Sequence, residues 1–198
     1  ACQGSQRKLG KMNSSRRGAP AGFKKRYPSK TDSGEAPRKL SPERQEQRAR
    51  NVLLYQLARG AKSAQTLRQI LEKREIDAEI ANAVIDRFIE VGLIDDVAYA
   101  ETVVNSRQKF KGLAKSAIRR ELSQKGVEAS IVEQVTSDIT VEDELAMAVD
   151  LATNRIGRMA NLEYTVRQRR LNSYLARKGY SSSIVLLAAK QAELSLSE

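Results

Sequence analysis

The sequence predicts an all-α protein: tandem repeats of three-helix modules forming an elongated, curved stack, with a disordered basic N-terminal arm. Three observations predict it. Apolar residues at helical spacing recur in three copies, offset by 51 and then 53 positions. Glycines fall where helices should stop, and short oxygen-bearing residues fall where they should start. Only four prolines and few β-branched runs occur, which favours helix over sheet.

The arm comes first. Residues 1–40 are rich in Gly, Ser, Pro, Lys and Arg and show almost no apolar periodicity. Such a segment buries too little surface to offset its ordering entropy, so disorder is expected. Phe23 and Tyr27 lie among Lys24, Lys25 and Arg26 and could stack on bases, though two rings are thin support.

The first module is expected over 41–93. Ser41 followed by Pro42 is a helix start, because proline lacks an amide that would go unpaired there anyway. That helix should run to about Arg59 and bury Val52, Leu53, Leu54 and Leu57, with Gly60 ending it. Ser63 caps a second helix that carries Leu67, Ile70 and Leu71 on one face. Asp77 caps a third with Ile80, Val84, Ile85, Phe88 and Ile89, and Gly92 stops it.

The second module is expected over 94–139. Asp95 or Asp96 stands at the N-cap, and Ala98, Tyr99, Thr102, Val103 and Ser106 follow at helical spacing. Lys111-Gly112 breaks the pattern; Leu113, Ala117, Ile118 and Leu122 resume it, and Gly126 ends it. The third module is expected over 140–198. Thr140 and Asp143 make a near capping box ahead of Leu145, Val149, Ala152 and Ile156.

The copies align residue by residue. Leu67, Leu71, Glu75, Ile76, Ile80 and Val84 match Ile118, Leu122, Gly126, Val127, Ile131 and Val135, and these match Leu171, Leu175, Gly179, Tyr180, Ile184 and Ala188. The cap position recurs as Asp77, Glu128 and Ser181, of which Glu is the poorest cap. Repetition has a physical reason: a module this small buries too little apolar area alone, and stacking shares the burial.

Charge bounds the function. The formal net charge is +11, but residues 1–50 hold 14 basic and 4 acidic residues, whereas residues 51–198 hold 21 and 20. The excess belongs to the arm, which suits a polyanionic partner through counterion release. There is no histidine, and Cys2 is the single cysteine. Neither a Ser-His nor a Cys-His nucleophile, a disulfide framework nor a cysteine-rich metal site can therefore form within one chain. Asp95-Asp96 and Glu142-Asp143-Glu144 could in principle hold a metal ion, but they stand at helix starts, where carboxylates cap amides. We expect no enzyme, no cofactor and no metal. The sequence shows no run of 18 apolar residues and no signal-peptide core, so no membrane partner and a cytoplasmic location are the expectation. The chain starts at Ala1, which leaves its native start open.

Binding has more to work with. Arg107, Lys109, Lys111, Lys115, Arg119, Arg120 and Lys125 form one basic strip, relieved by a single Glu. Arg155, Arg158, Arg167, Arg169, Arg170, Arg177 and Lys178 form a second in the third copy. Guanidinium groups suit bidentate recognition of phosphate. Each strip alone also reads as the solvated face opposite the leucines.

The same stretch carries a resemblance. Gly-Leu-Ile-Asp-Asp from Gly92, Tyr99-Ala100, the basic turn Lys111-Gly112, and I-x-x-E-L-x-x-K-G-V from Ile118 to Val127 resemble the central module of the RecX family, bacterial regulators of the RecA recombinase. Residues 169–180, RRLNSYLARKGY, are similar to the family's later module, and the resemblance covers roughly residues 44–194. The matching positions are Gly92, Leu93, Asp95, Asp96, Tyr99, Ala100, Gly112, Ile118, Glu121, Leu122, Lys125 and Gly126. The chain departs from the pattern in its long basic arm and at Glu75, where the other two copies have Gly.

The resemblance implies a protein that binds the RecA–single-stranded DNA filament and reduces its ATP hydrolysis and strand exchange. It implies negative modulation of recombination, DNA repair and the SOS response. Single-stranded DNA is the implied nucleic acid, with double-stranded DNA left open. No dimer seam is visible, so a monomer is expected. Two other readings stay open: a helical, helix-turn-helix-like DNA-binding regulator, favoured by a palindromic site and dimerisation, and a protein adaptor without nucleic-acid contact.

Overall fold

A computed structural model of the protein describes residues 40–195. The arm expected over residues 1–40, with its rings Phe23 and Tyr27, lies outside the described residues but for Leu40. Every regular element described is helical, and the helices come in three tandem triplets. The first holds α1 (Pro42–Ala58), α2 (Ala64–Glu72) and α3 (Ala78–Glu90). The second holds α4 (Asp96–Ser106), which runs directly into a π-helical turn (Arg107–Lys111), then α5 (Lys115–Gln124) and α6 (Ala129–Thr136). The third holds α7 (Val141–Ile156), a 3-10 turn (Gly157–Met159), α8 (Tyr164–Arg177) and α9 (Ser182–Leu194).

The helix starts follow the expected chemistry except at Ser41 and Glu128, neither of which makes a side-chain capping bond. Ser63 accepts from the Thr66 amide, Asp77 from Glu79, and Ser181 from Ile184. Thr140 and Asp143 form a complete capping box. Ser41 holds the N-cap position, yet its side chain makes no capping bond; Pro42 at the first helical position leaves one amide fewer to satisfy.

Each triplet closes on its own apolar core. In the first, Leu53, Leu67, Leu71 and Ile85 are fully buried with Ala49 and Val84 around them. In the second, Ile118 and Leu122 meet Ala100, Val103, Val104 and Val132. In the third, α7 packs on α9 through Ala148 and Ala152 against Ala188, Ala189 and Ala192, side chains small enough to let two helices approach closely.

The structure corrects three burial expectations. Leu54 is 51% exposed, and Ala49 takes its place inward, because α1 presents one narrow stripe to α3. Ile89 is likewise exposed near the end of α3. On α4, Ala98 and Thr102 face solvent while Ala100, Val103 and Val104 are buried, so the inward face is rotated from the one the spacing suggested.

The junctions between triplets repeat as faithfully as the triplets do. The Ser63 hydroxyl donates to the Lys125 carbonyl at 2.6 Å, and the Ala64 amide donates to Asp96 Oδ1 at 2.8 Å. One module on, the Ala114 amide donates to the Lys178 carbonyl at 3.0 Å, and the Lys115 amide donates to Glu144 Oε1 at 2.8 Å. The starts of α2 and α5 are thus each closed by the module that follows. A carboxylate from the next first helix takes the first amide, which is a charge-assisted bond at a positive helix end. Asp95 is therefore the cap of α4, accepting from Val97 and Ala98, whereas Asp96 belongs to the junction.

This geometry explains Glu75. Glu75, Gly126 and Gly179 all adopt positive φ, at 59°, 73° and 94°. A Cβ on Gly126 would run into the Gln65 stem, and one on Gly179 would lie 2.7 Å from Ala117 Cβ. Both glycines press against the module before them. Glu75 stands in the first module, with no earlier triplet against it among the described residues, so a side chain fits at the cost of a left-handed backbone alone.

Candidate nucleic-acid interface

The basic residues of the second module divide by environment. Arg107 forms a bidentate pair with Glu121, with contacts of 2.5 to 3.0 Å, and both side chains are about three-quarters buried. The Arg107 hydrogen bond holds the Glu121 carboxyl below the usual carboxylate range. Arg119 pairs with Glu133 from α5 to α6; one module earlier, Arg68 reaches Asn82 across the equivalent helices. Lys115 is half-buried, and its Nζ donates to the Ile139 carbonyl at 3.3 Å. Lys109, Lys111, Arg120 and Lys125 are exposed and carry no ion pair among the described residues.

The third module also splits. Arg167 is turned inward: it pairs with Glu193 at 2.9 Å and donates to the Leu162 carbonyl at 2.7 Å. Lys178 donates to the Lys111 carbonyl and so belongs to the junction. Arg169, Arg170 and Arg177 face the other way. With Arg155 from α7, Arg158 from the 3-10 turn, Met159 and Ser173 they line a cleft of about 570 Å³.

Helix geometry builds this cleft. Arg170, Ser173 and Arg177 fall at i, i+3 and i+7 on one face of α8, with Arg169 beside them. Gly157 and Arg158 turn the chain at the end of α7, which brings Arg155 and Arg158 to the same opening. The Arg155 guanidinium lies 4.2 Å from the centre of the Tyr174 ring, and its Nε is buried without a hydrogen-bond partner. No carboxylate lines the cleft, and none of its five arginines has an ion pair among the described residues.

That arrangement is costly without a counter-ion. Two unit charges about 8 Å apart near a protein surface repel by about 2 kcal/mol before screening. Five guanidinium groups around one opening therefore favour any anion that bridges several of them. Their planar forks match phosphate oxygens two at a time, so a run of phosphates fits better than a single one.

Four of the five residues in the acidic clusters hold helix starts. Asp95 and Asp143 cap their own helices, and Asp96 and Glu144 close the starts of α2 and α5. No grouping of acidic or sulfur ligands suited to a metal ion occurs among the described residues. No described helix is long and apolar enough to cross a membrane.

Comparison with known proteins decides the family. Family models for the first, second and third three-helix domains of RecX match residues 49–88, 95–135 and 142–188. The Regulatory protein RecX of Streptomyces coelicolor is 40% identical over 164 residues, covering 83% of this chain and 85% of that protein. The chain belongs to the RecX family. The Regulatory protein RecX of Mycobacterium avium is 35% identical over 167 residues, 82% of this chain and 96% of the relative. A crystal structure of RecX from Lactobacillus salivarius superposes with a TM-score of 0.67 at 22% identity, covering 77% of this chain and 99% of that one, and shows the same fold.

The residues that carry the RecX resemblance are mostly those that hold the modules together. Gly92 ends α3, Ile118 and Leu122 fill the second core, Glu121 holds Arg107, and the Lys125 carbonyl receives Ser63. The arginine cleft lies apart from them, between α7 and α8. Ser173 and Tyr174, which complete its wall and brace Arg155, are not singled out by the sequence pattern.

Proposed function

We propose that this chain is a non-catalytic cytoplasmic regulator, acting as a monomer, of the RecA–single-stranded DNA filament. It lowers the filament's ATP hydrolysis and strand exchange and so restrains recombination and the DNA-damage response. RecX membership supports the RecA side of this reading. The arginine cleft supports the nucleic-acid side: five guanidinium groups, with no ion pair and no lining carboxylate among the described residues, fit the phosphates of a strand.

Direct contact falls to Arg155, Arg158, Arg169, Arg170 and Arg177, with Lys109, Lys111, Arg120 and Lys125 extending the surface on the second module. Arg107, Lys115, Arg119, Arg167 and Lys178 position the backbone that carries them. The stack bridges adjacent filament subunits and hinders the movements coupled to ATP turnover.

The test of the cleft is the salt dependence of binding to a single-stranded oligonucleotide. Each phosphate neutralised on a single strand contributes about 0.7 to the log–log slope. Replacing Arg169, Arg170 and Arg177 together by Gln should lower the slope by about 2. Far-UV circular dichroism should not change, because all three side chains are exposed. An unchanged slope in the folded triple variant would remove the cleft from the interface.

A further inference from the structure

Among the described residues the most exposed large apolar side chain is Phe110, 86% open to solvent, at the fourth position of the π-helical turn Arg-Gln-Lys-Phe-Lys. We propose that this turn is a second nucleic-acid contact, in which Phe110 stacks on an unpaired base while Lys109 and Lys111 take the flanking phosphates. The inference rests on the nucleic-acid reading above and adds a base-stacking contact on the second module, apart from the arginine cleft of the third.

Four observations carry it. First, the turn is held rigidly. Arg107 at its start is locked to Glu121, and the Gly112 and Leu113 amides close it by donating to the Gln108 and Arg107 carbonyls at 3.0 and 3.2 Å. From the third module, Lys178 donates to the Lys111 carbonyl, and Tyr180 Oη donates to the Gly112 carbonyl at 3.1 Å. A ring on so well fastened a turn is presented, at little entropic cost on binding. Second, Phe110 finds no core although three apolar cores lie in the same fold. Leaving a phenyl ring in water forgoes a burial of about 1.5–3 kcal/mol, which stacking on a partner would recover. Third, both neighbours are exposed lysines without ion pairs among the described residues. A strand offers base and phosphate alternately, and lysine–aromatic–lysine matches that order; an apolar protein pocket would have no use for the two charges. Fourth, the turn is π-helical, an irregularity frequent at functional sites. A phenyl ring has no polar atom with which to read a base edge, so recognition is tolerant of sequence.

The chain contains no tryptophan, so Phe110→Trp makes a single fluorescent reporter in the full-length protein. Titration with oligothymidylate should quench its emission, whereas inorganic polyphosphate of equal charge should bind without comparable quenching. Phe110→Ala should bind oligothymidylate about 10-fold more weakly with an unchanged salt slope. The proposal is overturned if emission stays constant while anisotropy shows the oligonucleotide bound, if polyphosphate quenches equally, or if Phe110→Ala binds as the parent does. Quenching that appears only on adding RecA would reassign Phe110 to a protein pocket and overturn it too. If the unmodified protein binds no oligonucleotide at low salt, the nucleic-acid reading itself falls; if the cleft variant weakens binding and Phe110→Ala does not, only this inference falls.

Discussion

Gly179 and Gly92 share a left-handed backbone but not a neighbourhood, and the pair isolates what a module junction contributes. Gly92 has φ 71° and nothing within 4 Å of an added Cβ. Gly179 has φ 94°, and its Cβ would lie 2.7 Å from Ala117 Cβ, 2.9 Å from Ser116 Oγ and 3.1 Å from the Ala117 nitrogen. The left-handed conformation costs a non-glycine residue about 1–2 kcal/mol, offset in part by about 0.4–1 kcal/mol from a stiffer unfolded chain. Gly92→Ala should therefore lose about 1 kcal/mol. Gly179→Ala adds an overpacking cost of about 1–3 kcal/mol, because one of the close atoms is backbone and cannot swing aside. The total is about 2–4 kcal/mol. Ser116, whose hydroxyl donates to the Gly179 carbonyl at 2.6 Å, would have to move as well. Urea denaturation followed by circular dichroism at 222 nm reads both variants. The junction is also where the third module couples to the second, so Gly179→Ala should broaden the transition or split it. Equal losses in the two variants would refute the junction reasoning. Glu75→Gly, relieving strain where no module presses, should change stability by under about 1 kcal/mol.

Two further outcomes follow from titrating groups, one inside the second module and one at its junction with the third. Glu121 has a folded-state pKa lowered chiefly by its hydrogen bond from Arg107, so the pair's stability is present above the unfolded carboxylate pKa and is lost as pH falls through the lowered value. Glu121→Gln should thus be less stable than the parent at pH 7, with the two stability curves converging in acid; a pH-independent gap would contradict this. Tyr180 is buried, and that burial, with Glu144 nearby, pushes its pKa up. Its contribution is intact below the unfolded tyrosine value near pH 10 and is lost above it. Tyr180→Phe should lose the bond to the Gly112 carbonyl, about 1 kcal/mol at pH 7, and show a shallower alkaline decline than the parent.

The helices and most of their ends were legible in the sequence because they depend on neighbours close along the chain. Ser63, Asp77, Thr140 and Ser181 cap amides two or three residues away, and the apolar positions that match across the copies, such as Leu71, Leu122 and Leu175, fill three cores. The junctions were not legible, because they join residues far apart: Ser63 with Lys125, Ser116 with Gly179. The fate of the basic residues was hidden for the same reason. Arg107 and Glu121 are 14 positions apart and Arg167 and Glu193 are 26 apart, so neither pair shows in a helical pattern, yet each withdraws an arginine from the surface. Conversely, Arg155 and Arg158 join Arg169, Arg170 and Arg177 only once α7 folds against α8. Phe110 sits in a break of the apolar pattern, where periodicity has nothing to say; the lysines on either side of the ring were the available signal.

The central claim is that this RecX-family chain acts on a RecA nucleoprotein filament. Steady-state ATP hydrolysis by a RecA–single-stranded DNA filament, titrated with this protein, tests it most directly, with binding to naked DNA measured at the same salt. Inhibition at concentrations well below those that coat naked DNA is the predicted result. No inhibition, or inhibition only where naked DNA is saturated, would contradict the claim and leave a protein that competes for DNA or does not act on the filament.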